Sequence, residues 1–477
     1  MLGHLIRKEI LDHLLSLRFL ILSAIGALVI LLSLYSGYVY YRDGLNDYRL
    51  AKAATEDRIR EVNTAENWSE FVYAGYPEHK PPTPMNIFVR GLEPTLGRSI
   101  SNTLIRRLSR SPVEVEPLLG IFPCLDLGLV IQIVLSLFVL LFTYDAVCGE
   151  KEGGTLRLIA SFPTPRYRLL LGKLLGALIP TLAAFGLPLL LGIAAMFLMP
   201  EVRLTGPELI RLGMITVAFG LYLTTFTCAG LFASILTHRA STSFVLLLGF
   251  WVVSVVVLPR LSLITADGIR PSPSVYELDA EKDAVIKSNG EMWRDSREKW
   301  AKEYLKSTGK EFWRTPEGNE AYRLYWRKTR EEVSMAPTRL QHERLEEAFR
   351  NRYDARLDLA VALARFSPAF ALDNATVRLA GAGLDRQRRF LNAFTLYYRQ
   401  HQHWYIESVD RSELQRINPA KYGKYKWDIS DMPRFAYRET WPQEDVQTAL
   451  VDMGVLTLCG LAFFVGAYVA MLRYDLR

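Results

Sequence analysis

Two acids one residue apart, Glu150 and Glu152, precede the pair Gly153-Gly154 and Thr155, and the bases Arg166, Arg168 and Lys173 follow. This short charged segment lies between two long apolar runs. The chemistry it offers is ion pairing: acids placed before a turn can meet bases on a partner. Constellations for bond making are missing elsewhere. There is no His-Glu-x2-His, and His79 and His342 stand alone. His401-Gln-His403 is a close pair, but i, i+2 spacing shares a side only in an extended strand, and no nearby acid or cysteine completes a metal set. No serine sits in Gly-x-Ser-x-Gly. A phosphate loop needs Gly-x4-Gly-Lys-[Ser/Thr], and Gly172-Lys173 lacks the earlier glycine and runs into Leu174. We expect no catalytic residues, no metal and no cofactor on this chain.

The segment 145–168 has an internal order that its surroundings must support. Gly153-Gly154 interrupts a helix descending from the preceding apolar run, and Thr155 can cap a new one. Leu156, Leu158, Ile159 and Phe162 give that short helix an apolar face, and Pro163 and Pro165 end it. Arg166 and Arg168 stand where the next run begins. An exposed apolar face of this kind should find a partner.

The flanking elements are spans. The 477 residues are 50% hydrophobic, with a mean hydropathy of +0.09. That average hides nearly uncharged runs alternating with two strongly charged blocks, which fits a membrane core carrying soluble domains. Runs of roughly twenty apolar residues meet the spanning criterion at 19–41, 125–144, 169–199, 212–236, 242–258 and 447–472. The first is too long for a signal-peptide h-region and ends without a small-x-small cleavage pattern. The net charge of +7 is not a nucleic-acid signal, because bases near the ends of apolar runs set topology. Arg7, Lys8 and Arg18, the bases of 145–168, Arg239, Arg473 and Arg477 all fall on one side. Both termini and 145–168 are then expected in the cytoplasm, and the insertions 42–124 and 259–446 outside. The neutral connection 200–211 agrees. Residues 1–18, with apolar residues at helical spacing opposite charges, read as an amphipathic helix along the inner surface. The cysteines imply no disulfide framework.

With those residues in view, the pattern Asp145-x4-Glu150-x-Glu152-x-Gly154-Thr155-Leu156, then Ser161-x-Pro163-x-x-Arg166 and Gly172-Lys173, resembles the permease subunit of ABC-2 type transporters. The resemblance covers 1–41, 125–258 and the last span, with the closing Arg473-Tyr-Asp-Leu-Arg477. It implies that 145–168 forms a coupling helix docking in a groove of a separate ATPase subunit. Asp145, Glu150, Glu152, Gly154, Thr155, Leu156, Ile159, Pro163, Arg166 and Lys173 are the residues carried over. Glu150 and Glu152 would meet bases of the ATPase, and Leu156 and Ile159 would fill its groove. ATP and its magnesium would sit on that partner, present in two copies. A second permease, identical or related, would complete a dimer in the cytoplasmic membrane of a bacterium or archaeon. Ser367-Pro368-x3-Leu372, Leu379-Ala-Gly381 and Arg389-Phe390 more loosely resemble a subgroup with a large extracytoplasmic domain before the last span.

The expected fold is therefore an α-helical integral membrane protein with six transmembrane helices, two extracytoplasmic insertions and a short tail at 473–477. In the first insertion, Asn86-Ile-Phe-Val-Arg90 reads as a strand and Ser99 to Arg110 as a short helix. The second is mainly helical up to residue 401 and irregular over 404–446. Its aromatics Trp293, Trp300, Tyr304, Tyr322, Tyr325 and Trp326 read as a seam between paired helices rather than a binding box. Pro180 and Pro188 should bend the third span, and Gly172-x3-Gly176 could admit a close helix contact. Asp126 and Asp452, near outer span ends, could line a translocation path, although interfacial acids need no such role. The main reading is an ATP-driven exporter subunit. The alternative is mechanotransmission, in which the ATPase drives the external helices against a periplasmic partner without moving cargo.

Overall fold

The computed structural model describes residues 2–62, 76–101, 107–108, 126–156, 165–271, 274–417 and 430–473. Among them, six helices are long and apolar enough to cross a membrane. Helix α1 (Leu2–Leu14) precedes α2 (Leu17–Val62). The first spanning run, expected to stop at residue 41, continues as one helix because 42–62 is rich in alanine and charged helix formers. Helix α3 comprises Leu127–Leu129, a π-helical stretch Val130–Leu135, and Ser136–Thr143. Then come the short α4 (Cys148–Glu152), α5 (Arg166–Phe197) and α6 (Gly206–Leu236). A capping box of Thr205 and Glu208 with proline in the first turn starts α6, six residues before its expected start. Helix α7 is Ala240–Val252, a second π stretch Val253–Val257, and Leu258–Ile269, so it outruns the expected end at 258. The last span is held within the final helix, Gln443–Arg473. Helix α5 runs unbroken through Pro180 and Pro188.

The chain divides into two compact units. The first holds 1–261, 364–394 and 436–477. Its core joins Leu34 of α2, Leu135 and Val139 of α3, Phe185 of α5, Ile215, Tyr222 and Phe226 of α6, and Leu456. Helix α6 is central, 67% of its apolar window being buried, against 17% for α7, whose exposed leucines and valines present a lipid-type surface.

The stretch 259–446, expected as one outer domain, is shared between the two units. Residues 364–394 and 436–446 belong to the first unit, because their small and apolar side chains are buried there. Ala369, Ala371, Leu372, Ala375 and Leu379 are each at most 1% exposed. Two further expectations fail in the first insertion. Asn86–Arg90 is no strand: Thr83 caps a 3-10 turn, Pro84–Ile87, with proline in its first turn. Nor is Ser99 to Arg110 a helix where it is described. Ser99–Ser101 and Arg107–Leu108 are strands β2 and β3, and β2 also pairs antiparallel with β1 (Pro77–His79).

The second unit holds 262–363 and 395–435. Its helices α8 (Val275–Thr308), α9 (Pro316–Arg330) and α10 (Ala336–Ala364, reaching into the first unit by one residue) bear the expected aromatic seam. Trp300 stacks on Tyr325 at 4.8 Å and Trp293 on Tyr325 at 6.2 Å. Phe312 closes the seam against Tyr322 at 4.4 Å. Helix α11 (Pro368–Ala380) lies in the first unit, and α12 (Leu384–Ile417) carries regular structure beyond residue 404, where irregular chain was expected. The last span's helix, Gln443–Arg473, is α13.

Candidate coupling site

The polar segment after α3 is built by ties to the ends of other helices. The chain leaves α3 in a turn, and the N–H groups of Val147 and Cys148 both donate to Ser234 Oγ of α6, at 2.9 and 3.0 Å. Lys151 Nζ donates to Ile235 O, and to Thr237 O at 2.9 Å. These are orphan carbonyls at the end of α6, where a cation is favoured. One residue on, Glu152 Oε1 accepts the Ala240 N–H in the first turn of α7 at 3.2 Å, which is where an anion is favoured. Gly154 then takes φ +71°, a conformation glycine adopts without penalty.

Three further ties come from charged side chains. Arg18, at the start of α2, pairs with Asp145 at 2.8 Å and donates to Tyr144 Oη at 2.7 Å. Arg166 Nη1 donates to Met471 O and Leu472 O of α13 at 2.7 and 2.6 Å. Lys173, 2% exposed, pairs with Glu150 at 2.9 Å and Glu9 at 3.3 Å and donates to Ala146 O at 2.8 Å. Lys8 of α1 reaches Glu150 at 3.8 Å. Helix α1 comes this close to α5 because Gly172 and Gly176 lack side chains. A Cβ at Gly172 would fall 2.3 Å from Leu5, and one at Gly176 2.3 Å from Glu9. The Gly172-x3-Gly176 pair thus serves a close helix contact, made with α1.

Glu150 is engaged inside the chain by Lys173 and Lys8. Leu156, 3% exposed, turns inward onto Val147, Leu169, Leu231, Ile235 and Met471 rather than outward. Thr155 is exposed and its Oγ1 donates to Glu150 O at 3.4 Å. Ile159 and Pro163 lie outside the described residues. The exposed part of the described segment is Glu152, Gly153, Gly154 and Thr155. Glu9 and Ser234 were not singled out from the sequence, and Lys8 was read only as a base that sets topology. The one signal for Glu9 was an acid one turn from Leu5 on a helix whose apolar face needed a neighbour.

The acids considered for a translocation path are also bound within the chain. Asp126 caps α3 through Gly128 N at 3.2 Å and accepts Arg90 N at 3.2 Å. Asp452, fully buried, pairs with Arg365 at 2.8 Å and accepts from Asn374 at 2.6 Å. Pro180 is buried and Pro188 half-buried in α5.

Comparison with known proteins bears on both halves of the chain. Residues 4–272 match the profile of the family described as ABC-2 family transporter protein. Residues 287–438 match a domain of unknown function (DUF3526). Two curated relatives carry the description "Probable ABC transporter permease protein NosY". The one from Stutzerimonas stutzeri is 36% identical over 132 residues, which is 26% of this chain and 45% of that protein. The one from Pseudomonas aeruginosa is 45% identical over 74 residues, 15% of this chain and 26% of that protein. The chain therefore spans less than half the length of either relative.

Proposed function

The chain belongs to the ABC-2 family of transporter proteins, and on that premise we propose that it is a permease subunit driven by a separate ATPase through residues 145–168. The observation that carries this reading is the convergence of ties on residues 144–173. They bind the segment to α1, α2, α6, α7 and α13. A push delivered there reaches five helices without bending a side chain far. ATP and magnesium belong to the partner, in two copies, and a second permease completes the assembly. Both termini and the segment face the cytoplasm of a bacterium or archaeon, and the export direction follows the family expectation. In this reading Glu152 is the acid that meets a base of the ATPase, with Thr155 beside it, while Glu150 and Lys173 hold the segment to α1 and α5.

The test is co-purification with the proposed ATPase partner, followed by ATP turnover. Glu152→Lys should lower turnover of the complex to that of the isolated ATPase while the permease still inserts and purifies normally. Full turnover in that variant would remove Glu152 from the interface.

One observation favours mechanotransmission as a second reading. Helix α11 lies in the connection before the last span, yet it packs on both π stretches. Ser367 Oγ donates to Ser254 O at 2.5 Å, and Gln132 Nε2 donates to Ala369 O at 3.3 Å. Movement of α3, which directly precedes the coupling segment, would reach the chain that leads into and out of the second unit. Spin labels at Met292 and on α6, read with and without ATP in the ATPase complex, would separate the readings. An unchanged distance would sink this one.

A further inference from the structure

In each π stretch one carbonyl is passed over by the N–H four residues on, and a hydroxyl of another helix donates to it. In α3 the Ser136 N–H donates to Ile131 O and Ile133 O and skips Gln132 O, its acceptor in a regular helix. Tyr222 Oη of α6 donates to Gln132 O at 2.8 Å, and Ser136 Oγ donates to the same atom at 2.6 Å. In α7 the Leu258 N–H donates to Val253 O and skips Ser254 O. Ser367, the N-cap of α11, donates through Oγ to Ser254 O at 2.5 Å.

Hydroxyls elsewhere in the spans behave differently. Those of Thr181, Thr216 and Thr227 return to the carbonyl four residues back on their own helix, a common place for a hydroxyl in a helix interior. Tyr222 and Ser367 reach across to another helix, and each ends on a skipped carbonyl. Two more bonds join the stretches. Gln132 Nε2 donates to Ala369 O of α11 at 3.3 Å, and Trp251 Nε1 of α7 donates to Ser136 Oγ at 2.9 Å. The helices α3, α6, α7 and α11 therefore meet at the two irregularities. A backbone carbonyl in an apolar interior is costly without a donor, so a π stretch is held at the level where a donor faces it. π stretches recur where a helix has a task beyond spanning.

We propose that Tyr222 and Ser367 are positioning residues for coupling. Their hydroxyls fix where the two π stretches lie, and so which side chains of α3 and α7 meet the neighbouring helices. The proposal rests on the permease reading, because α3 runs directly into the coupling segment.

The experiment uses the full chain in lipid vesicles, with a nitroxide side chain placed in turn at positions 137 to 141. Its access to dissolved oxygen is read by electron paramagnetic resonance. In the wild type, positions 137, 138 and 141, which are half-buried, should meet oxygen more than the buried 139 and 140. Tyr222→Phe combined with Ser136→Ala removes both hydroxyls from Gln132 O and keeps the ring packed on Phe226. That ranking should then change, with 139 or 140 becoming the more accessible. ATP turnover of the complex with the ATPase should fall several-fold while the two still co-purify. Ser367→Ala should lower turnover in the same way, and Ser367→Thr, which keeps the hydroxyl, should restore it. If the double variant does not fold, Tyr222→Phe alone decides by the same profile. An unchanged ranking overturns the proposal, and so does a changed ranking with full turnover. A wild-type chain that fails to stimulate the ATPase counts against the permease reading, and the oxygen profile still decides whether the hydroxyls hold the stretches.

Discussion

The two charge clusters of the first unit use the same residue types at different depths. Around Lys173, which is 2% exposed, Glu9 and Glu150 are shared with Lys8, whose side chain is 51% exposed and also reaches the exposed Asp12. Around Lys80, Glu93 is shared with Arg386, and all three side chains are at most 1% exposed. The first cluster opens to water at one edge and clasps α1 to α5. The second is buried on every described side, so each of its charges is tolerated only through the others.

The same substitution in both clusters tests this contrast. Lys173→Met leaves Glu9 and Glu150 with only the distant Lys8, and breaking a buried pair from one side costs roughly 3–5 kcal/mol. We expect most of the folded chain to be lost, seen as a fall in the monodisperse fraction after purification. Gly176→Ala, which drives a methyl into Glu9 and lifts α1 from α5, should cost ~1–3 kcal/mol as overpacking, measured by thermal unfolding. A melting temperature equal to wild type would mean that α1 is not held by this contact. Lys80→Met should cost less, about 1–2 kcal/mol for the donor lost to Gln387, because Glu93 keeps Arg386.

Raising the pH sharpens that last comparison. Lys80 titrates at about 8 in the fold instead of near 10.5. Between those values the unfolded chain holds a proton that the folded chain has released, so the fold gains as pH rises. Wild-type stability relative to Lys80→Met should climb by up to about 1.4 kcal/mol per pH unit across that window. A flat difference would show that Lys80 is not strained by its neighbours. The smallest effect belongs to Glu152→Lys, which loses the Ala240 N–H at the start of α7 and should cost about 0.5–1 kcal/mol. Any larger loss would mix folding with coupling in the turnover assay.

The spans and the turn at Gly153-Gly154 were legible because both are written locally. A run of apolar residues declares a span, and Gly153-Gly154 declares a turn. The small pair Gly172-x3-Gly176 announced a close contact but not its partner, since nothing local ties position 176 to position 9. The ties of Glu150 were out of reach for the same reason: an acid beside a turn reads as exposed until Lys173 folds back on it. Ile87 and Val89 suggested a strand by their branched side chains, but Thr83 and Pro84 impose a tight turn first. The Lys80 cluster was invisible, its members Lys80 and Gln387 standing 307 positions apart.

The π stretches of α3 and α7 carry one consequence beyond the bonds they make. A π stretch holds an extra residue within an otherwise regular helix, and one residue corresponds to about 100° of rotation. If that surplus residue slides along α3 from Val130–Leu135, the side chains it passes swing around the axis while both helix ends stay in place. The helix then works as a ratchet, storing a turn at one level and releasing it at another without lengthening or tilting.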